Sequence, residues 1–182
     1  MARNLAHEQF TALCDASCNP EDGETGICVL IYYTYMETVG PQHHVLLVQD
    51  CQKFRCRTSA NAEACGRELA AKLLVNHHTD LMRARQEQVG LPTVDRVSVK
   101  IMNDNRQLYE PVDPASLLAF YGRQIAMKFG TELVFEWIWR RDPFFQPVDA
   151  EARDCMRKQI PTEVKQTLFP LPEWCPIRRA PR

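Results

Sequence analysis

Cysteine and histidine side chains are the residues of this sequence best suited to metal chemistry. Structural zinc sites usually combine two closely spaced pairs of such ligands. Here the second pair would have to be a histidine doublet, whose adjacent side chains cannot easily offer two nitrogens to one ion. We therefore expect no metal or other cofactor, and we interpret the cysteines as thiols of a reducing cytoplasm or nucleus, several of them packed as small apolar residues. The candidate ligands are Cys14 and Cys18, Cys51 and Cys56, His43–His44, and His77–His78.

Covalent catalysis has one candidate nucleophile. Cys65 lies near the start of a predicted helix and close to Arg67, an environment that can lower the pKa of a thiol. The glycine-rich phosphate loops, the Gly-x-Ser-x-Gly elbow and the His-Glu-x-x-His zinc motif are absent from the sequence. The sequence therefore predicts no catalytic residues, and a cysteine- or metal-dependent enzyme is kept as a second alternative function.

A row of basic residues could contact phosphate groups. Lys53, Arg55 and Arg57 alternate with Phe54 and Cys56, so they share one face of a predicted strand. A solvated sheet face or a charged edge that blocks aggregation would show the same pattern. The 182 residues carry a net charge of −1, which argues against tight, nonspecific binding to nucleic acid.

Hydrophobic periodicity predicts an α+β fold in which helices pack on one face of antiparallel sheet. Segments 66–72 and 122–128 resemble each other, and each is predicted to follow a hairpin, which suggests two related strand–strand–helix units. The predicted helices are 4–14, 59–88, 113–130 and 148–160, and the predicted strands are 27–36, 45–48, 51–57, 97–101, 107–112 and 133–139.

The chain divides into three parts on this interpretation. Residues 1–90 form a helix–strand–strand–strand–helix unit, residues 91–160 form a second mixed unit, and residues 161–182 form a proline-rich tail. No apolar run reaches the roughly 20 residues of a membrane-spanning helix, so we expect no membrane partner.

The first unit resembles a double-stranded RNA-binding domain. The resemblance covers about residues 4–78 and depends on element order, on Gly40-Pro41 followed by His43 or His44, and on an Ala70-Ala71 pattern in the last helix. It implies that the Gly-Pro turn enters the minor groove of duplex RNA, where 2′-hydroxyls are read. Of the positions that hold lysines in that family, only Arg67 is basic here.

The missing lysines favour a protein partner over RNA. We therefore predict a non-enzymatic adaptor or regulatory protein that binds another protein, or a second copy of itself, through a sheet-and-helix surface. The first alternative is binding of double-stranded RNA through six residues: His43, His44, Lys53, Arg55, Arg57 and Arg67.

Overall fold

One mixed β-sheet organises the molecule. The structure, a computed structural model, describes residues 5–56, 58–90, 97–158 and 165–166. The strands lie in the order β5-β4-β1-β2-β3-β6, in which β6 has only two residues. In chain order the elements are β1 (Leu5–Cys18), β2 (Glu24–Glu37), β3 (Gln42–Arg55), α1 (Ser59–Asn76), α2 (His78–Val89), β4 (Ser98–Asn103), a 3-10 turn (Arg106–Tyr109), α3 (Leu117–Phe129), β5 (Leu133–Trp137), α4 (Gln146–Arg157) and β6 (Lys165–Gln166).

Parallel and antiparallel pairing meet at β1. Strands β1, β2 and β3 form an antiparallel meander, whereas β4 pairs parallel to β1 and β5 pairs parallel to β4. Parallel neighbours require a crossover, and the helices supply it. The α+β class is confirmed, but the sheet is mixed rather than antiparallel.

Helices cover both faces of the sheet, not one face as expected. The larger core lies between the sheet and α1, α2 and α3, and it contains Phe10, Tyr33 and Ile101. The smaller core lies between the opposite face and α4, and it contains Leu30 and Phe145. Gly26 lets α4 approach the sheet closely, because a Cβ there would collide with backbone atoms of Ala152 and Met156.

The segment expected to form the first helix is strand β1. Phe10 and Leu13 are both fully buried, on opposite faces of the sheet, since both faces carry helices. Residues 8–15 of β1 are all buried, as is typical of a strand covered on both sides, and hydrophobic periodicity alone does not separate such a strand from a buried helix.

The expected hairpin 97–112 is also wrong. Strand β4 is followed by the 3-10 turn Arg106–Tyr109 and not by a second strand, so the second unit is not strand–strand–helix. The predicted helix 113–130 corresponds to α3, which begins later than expected, with Ser116 as its cap in place of Asp113, and which ends as expected at Gly130 in the left-handed conformation, φ 67°. The division at residues 90 and 160 stays a prediction, and 167–182 lie outside the described residues.

In the part of the chain that the structure describes, no helix is long and apolar enough to cross a membrane.

Candidate metal centre

Two parallel strands bring two carboxylates to the same edge of the sheet. Leu13 of β1 is aligned with Met102 of β4, so Asp15 and Asp104, each two residues further on, lie at the same level. Neighbouring strands are about 4.8 Å apart. Like charges placed side by side in this way repel each other unless a cation lies between them.

A third carboxylate comes from the first turns of α1. Thr58 caps this helix by accepting a hydrogen bond from the Asn61 backbone N–H at 3.2 Å. The helix directs Glu63 at the sheet, where Asn103 Nδ2 donates to Glu63 Oε2 at 2.9 Å. The same Nδ2 donates to the Cys14 carbonyl at 2.7 Å, so the fully buried Asn103 fixes Glu63 relative to β1.

The turn after β4 is held from the opposite side. Trp137 Nε1 donates to the Asp104 carbonyl at 2.8 Å, and the Asn105 backbone N–H donates to Asn103 Oδ1 at 2.8 Å. Each carboxylate is thus positioned by a different element, and their convergence is a property of the tertiary fold.

The three carboxylates form one cluster. Among the described residues, Asp15, Glu63 and Asp104 are the group of metal-ligand side chains whose ligand atoms lie within 4.8 Å of one another. Asp15 is 1% exposed, and within the described chain neither of its carboxylate oxygens has a hydrogen-bond partner. A buried carboxylate without a partner is costly to the fold, and a bound cation removes that cost.

The electrostatics of the cluster agree with its geometry. Burial, and then the charge of Glu63, raises the pKa of Asp15 from 3.8 to about 8. Burial raises the pKa of Glu63 from 4.5 to about 7, and the hydrogen bond from Asn103 opposes that rise. Burial also raises the pKa of Asp104. The three carboxyl groups therefore hold their protons more tightly in the folded chain than free carboxyl groups do. The burial of negative charge that causes this would also favour a bound cation.

An all-oxygen donor set suits Mg²⁺, Mn²⁺ or Ca²⁺ and not zinc. Two oxygens bound to one Mg²⁺ are at most about 4.2 Å apart. The ligand oxygens of the cluster all lie within 4.8 Å of one another, so small side-chain rotations at most are needed to bring them into range. The residues present fit such an ion.

An open cavity of about 430 Å³ adjoins the cluster. Its lining includes the acidic residues Glu63 and Asp104 and the basic residues Arg106 and Arg140. Arg140 Nε is 3.5 Å from Asp104 Oδ2. A site of this kind combines hard-cation ligands with nearby positive charge and space for an anion.

The residues predicted to bind RNA are not brought together. His44 accepts or donates a hydrogen bond with Thr34 Oγ1 at 2.9 Å, and His43 stacks on Tyr35 with ring centroids 4.9 Å apart. Thr34 pairs with Gln9 of β1, six residues before Asp15, so the histidines lie roughly 20 Å from the cluster along the strands.

The basic row lies at the other end of β3. Lys53 forms an ion pair with Glu24 at 2.8 Å and donates to the Lys158 carbonyl at 2.9 Å, whereas Arg55 is exposed. Arg57 lies outside the described residues. Arg67 lies on α1 one turn beyond Glu63, and its charge lowers the pKa of Glu63 by a small amount relative to burial. The assignment of these residues to RNA stays a prediction.

Cys65 does not have the lowered pKa that a position near a helix start and Arg67 can produce. Desolvation by the surrounding protein raises its pKa, and the neighbouring Cys56 adds to the effect. Burial likewise raises the pKa of Cys14, and burial raises that of Cys155 to about 11. These thiols are protonated at neutral pH and are poor nucleophiles.

The arrangement of strands and helices is that of the RNase H fold. The N-terminal RNase H domain of rv2228c from Mycobacterium tuberculosis, solved as a fusion with maltose-binding protein, superposes with a TM-score of 0.51 and 16% identity over 82% of this chain and 94% of that one. RNase H1 from the archaeon Halobacterium salinarum gives a TM-score of 0.46 with 12% identity over 81% and 97%. LC11-RNase H1, from a compost metagenome, in complex with an RNA/DNA hybrid, gives 0.41 with 18% identity over 80% and 95%.

Sequence comparison adds nothing to this likeness. No protein-family model matches the chain, and no curated protein matches it. At 16% identity the comparison with the M. tuberculosis domain establishes the fold.

Two interpretations of the sequence are therefore wrong. The resemblance to a double-stranded RNA-binding domain fails, because the solved structures that match are RNase H folds and because the expected first helix is β1. The interpretation as a non-enzymatic adaptor or regulatory protein fails as well, because the matching folds are those of nucleases and a buried carboxylate cluster lies beside an open cavity.

Asp15, Glu63 and Asp104 are not among the candidate residues that the sequence predicts. They are far apart in the chain and follow no short motif, so spacing could not reveal them. One signal was present: Asp15 directly follows the apolar residues Ala12, Leu13 and Cys14, and a carboxylate next to such residues in a buried strand is rarely there without a partner.

Proposed function

We propose that this chain hydrolyses phosphodiester bonds in nucleic acid with the help of a divalent cation held by Asp15, Glu63 and Asp104. The observation that carries the proposal is Asp15, a 1%-exposed carboxylate without a hydrogen-bond partner in the described chain, next to two further carboxylates. Such a group stays ionised at neutral pH only when a cation offsets its charge.

Residues of this chain would position the cation. Asp15, Glu63 and Asp104 would hold the cation, and Asn103 keeps Glu63 in place through its amide. When bound there, a divalent cation would polarise a phosphoryl oxygen and make a nearby water more acidic. In the hydrolysis, the water oxygen forms a bond to phosphorus and one P–O ester bond breaks, which leaves a hydroxyl and a phosphate as the two new ends.

The cavity supports a phosphate-containing substrate. Arg106 and Arg140 line it together with Glu63 and Asp104, and guanidinium groups pair well with phosphate. The net charge of −1 means that binding depends on such local positive groups and not on a general positive field.

Within nucleic acids, we propose the RNA strand of an RNA/DNA hybrid as the substrate. The fold shared with the RNase H domain from M. tuberculosis supports this class of substrate. This proposal keeps one part of the RNA-binding alternative, namely that the chain binds nucleic acid. A protein partner or homo-oligomer and a cytoplasmic or nuclear location stay predictions.

The test is a cleavage assay on end-labelled oligonucleotides. RNA/DNA hybrid, duplex RNA, single-stranded RNA and duplex DNA of one sequence are each incubated with the chain in Mg²⁺, in Mn²⁺ or in EDTA. We expect cleavage of the hybrid's RNA strand, dependent on the cation, and a loss of at least 100-fold in Asp15→Asn and Asp104→Asn.

The matched control is Asp50→Asn. Asp50 is also a buried acid of the sheet, with one oxygen lacking a partner in the described chain, but it lies on β3 away from the cluster. Its substitution should leave cleavage unchanged. Equal cleavage by wild type and Asp15→Asn, or no cleavage of any substrate with either cation, would contradict the proposal.

A further inference from the structure

A fourth carboxylate lies beside the cluster, but its oxygens are already occupied. Asp149 of α4 is 6% exposed. Its Oδ1 accepts hydrogen bonds from Arg140 Nη2 at 3.1 Å and from Arg140 Nε at 3.3 Å, and its Oδ2 accepts one from Arg153 Nη2. Asp149 therefore differs from Asp15, for which the described chain supplies no partner at all.

Arg140 connects Asp149 to the cluster. Besides its two hydrogen bonds to Asp149, its Nε lies 3.5 Å from Asp104 Oδ2. The residue belongs to the turn between β5 and α4 and also lines the open cavity. A single guanidinium thus lies between the carboxylates of Asp104 and Asp149, where their negative charges would otherwise repel.

The four carboxylates form two sides of the site, and Asp104 belongs to both. On one side, Asp15 has no protein partner in the described residues, Glu63 accepts one hydrogen bond from Asn103, and the three cluster oxygens converge. On the other side, Asp104 and Asp149 are already bridged by a permanent positive charge. Many phosphodiester-cleaving sites hold two cations about 3.5–4 Å apart, one for each side of the reacting phosphate.

We propose that Arg140 takes the place of a second cation, so that this chain binds one divalent cation, on Asp15, Glu63 and Asp104, and neutralises the Asp104–Asp149 side with its own guanidinium. The inference rests on the proposed function. A guanidinium keeps its charge at all accessible pH values and offers a rigid set of donors, so it suits a permanent role of this kind.

The charges support the assignment. Four ionised carboxylates carry a formal charge of −4, from Asp15, Glu63, Asp104 and Asp149. One divalent cation together with Arg140 and Arg153 balances that charge. A second divalent cation could bind between Asp104 and Asp149 only by displacing the guanidinium of Arg140, which contacts both carboxylates.

Counting bound Mn²⁺ tests the inference without depending on activity. The chain of 182 residues is titrated with Mn²⁺, and the free ion is measured by its solution EPR signal. We expect one Mn²⁺ per chain for wild type, two for Arg140→Ala, and none for Asp15→Asn. Arg140→Gln is a second neutral variant that keeps more of the side chain, and we expect two Mn²⁺ for it as well, which guards against misfolding of the alanine variant.

Arg153→Ala is the matched control. This substitution removes the other guanidinium that contacts Asp149 but leaves the contact between Arg140 and Asp104. The number of Mn²⁺ ions bound per chain should therefore stay at one. Two ions bound by wild type, or one ion bound by both neutral Arg140 variants, would overturn the inference and leave the proposed function intact. A wild-type chain that binds no Mn²⁺ would overturn both.

Discussion

Replacing Asp15 by asparagine should stabilise the protein when no divalent cation is present. An ionised Asp15 is buried beside Glu63 without a partner in the described chain, and its pKa in the folded state is raised from 3.8 to about 8 by burial and then by that neighbour. The folded state therefore holds this proton more tightly than the unfolded state does. The stability associated with the protonated carboxyl is fully present below about pH 4 and is lost as the pH rises through about 8.

The size of the effect follows from the two pKa values. Each tenfold change in an ionisation constant corresponds to about 1.4 kcal/mol, so the full effect is on the order of 5 kcal/mol. Part of it belongs to the interaction with Glu63, and we expect Asp15→Asn to recover at least about 2 kcal/mol at pH 9. At pH 4, where the carboxyl of Asp15 is protonated in the folded state, the two proteins should have nearly the same stability.

Urea unfolding in EDTA at several pH values between 4 and 9 measures this difference. The free energy of unfolding of Asp15→Asn minus that of wild type should increase steadily with pH. Adding Mn²⁺ at 100 times its dissociation constant should raise the stability of wild type by about 2.7 kcal/mol and leave the variant unchanged. Asp50→Asn, which also relieves a carboxyl whose pKa is raised by burial, should keep the response to Mn²⁺. A difference that stays near zero, or that favours wild type at pH 9 in EDTA, would refute the reasoning.

Three further substitutions test the parts of the fold that position the cluster. Asn103→Ala should weaken Mn²⁺ binding by about 10- to 100-fold, because Glu63 loses the amide that orients it; isothermal calorimetry measures the affinity. Gly26→Ala should lower the free energy of unfolding by at least about 1–3 kcal/mol, because the new methyl group collides with the backbone of α4; urea unfolding measures it. Arg85→Ala should lower it by about 3–5 kcal/mol, because the buried carboxyl group of Glu8 would lose its guanidinium partner in the core; the same assay applies.

Each of these substitutions has its own control. Asn61→Ala, at an exposed position of α1, should leave Mn²⁺ affinity unchanged. Equal affinities of Asn103→Ala and wild type would show that Glu63 does not depend on the hydrogen bond from Asn103. Gly122→Ala, where a Cβ meets no atom within 4 Å, should stabilise α3 by about 0.5–1 kcal/mol. Arg85→Met combined with Glu8→Gln should be more stable than Arg85→Ala alone, and the reverse order would exclude an uncompensated charge as the cause.

Local sequence signals predicted the elements whose ends carry caps or stops. Gly130 ends α3 and Gly90 ends α2, as glycine at a helix end predicts. Strand β2 contains the predicted segment 27–36, because its β-branched and aromatic residues favour extended backbone. These signals depend only on neighbours in the chain.

Long-range features could not be predicted in the same way. Strand β1 is buried on both faces, and its apolar residues at 6, 10, 13 and 14 also match a helical stripe. When this segment is assigned as a helix, Asp15 lies just beyond the helix end, where a carboxylate does not indicate a metal site. The parallel pairing of β1 with β4, which aligns Asp15 with Asp104, depends on contacts between residues about 90 positions apart. The candidate site was therefore invisible until the fold was known.

The most direct test of the cation site is a crystal of the chain soaked in Mn²⁺ and measured for anomalous scattering. The account predicts an anomalous peak in contact with carboxylate oxygens of Asp15, Glu63 and Asp104, and its disappearance in a crystal of Asp15→Asn. The absence of a peak at these three residues in wild-type crystals that hold Mn²⁺ elsewhere would contradict it.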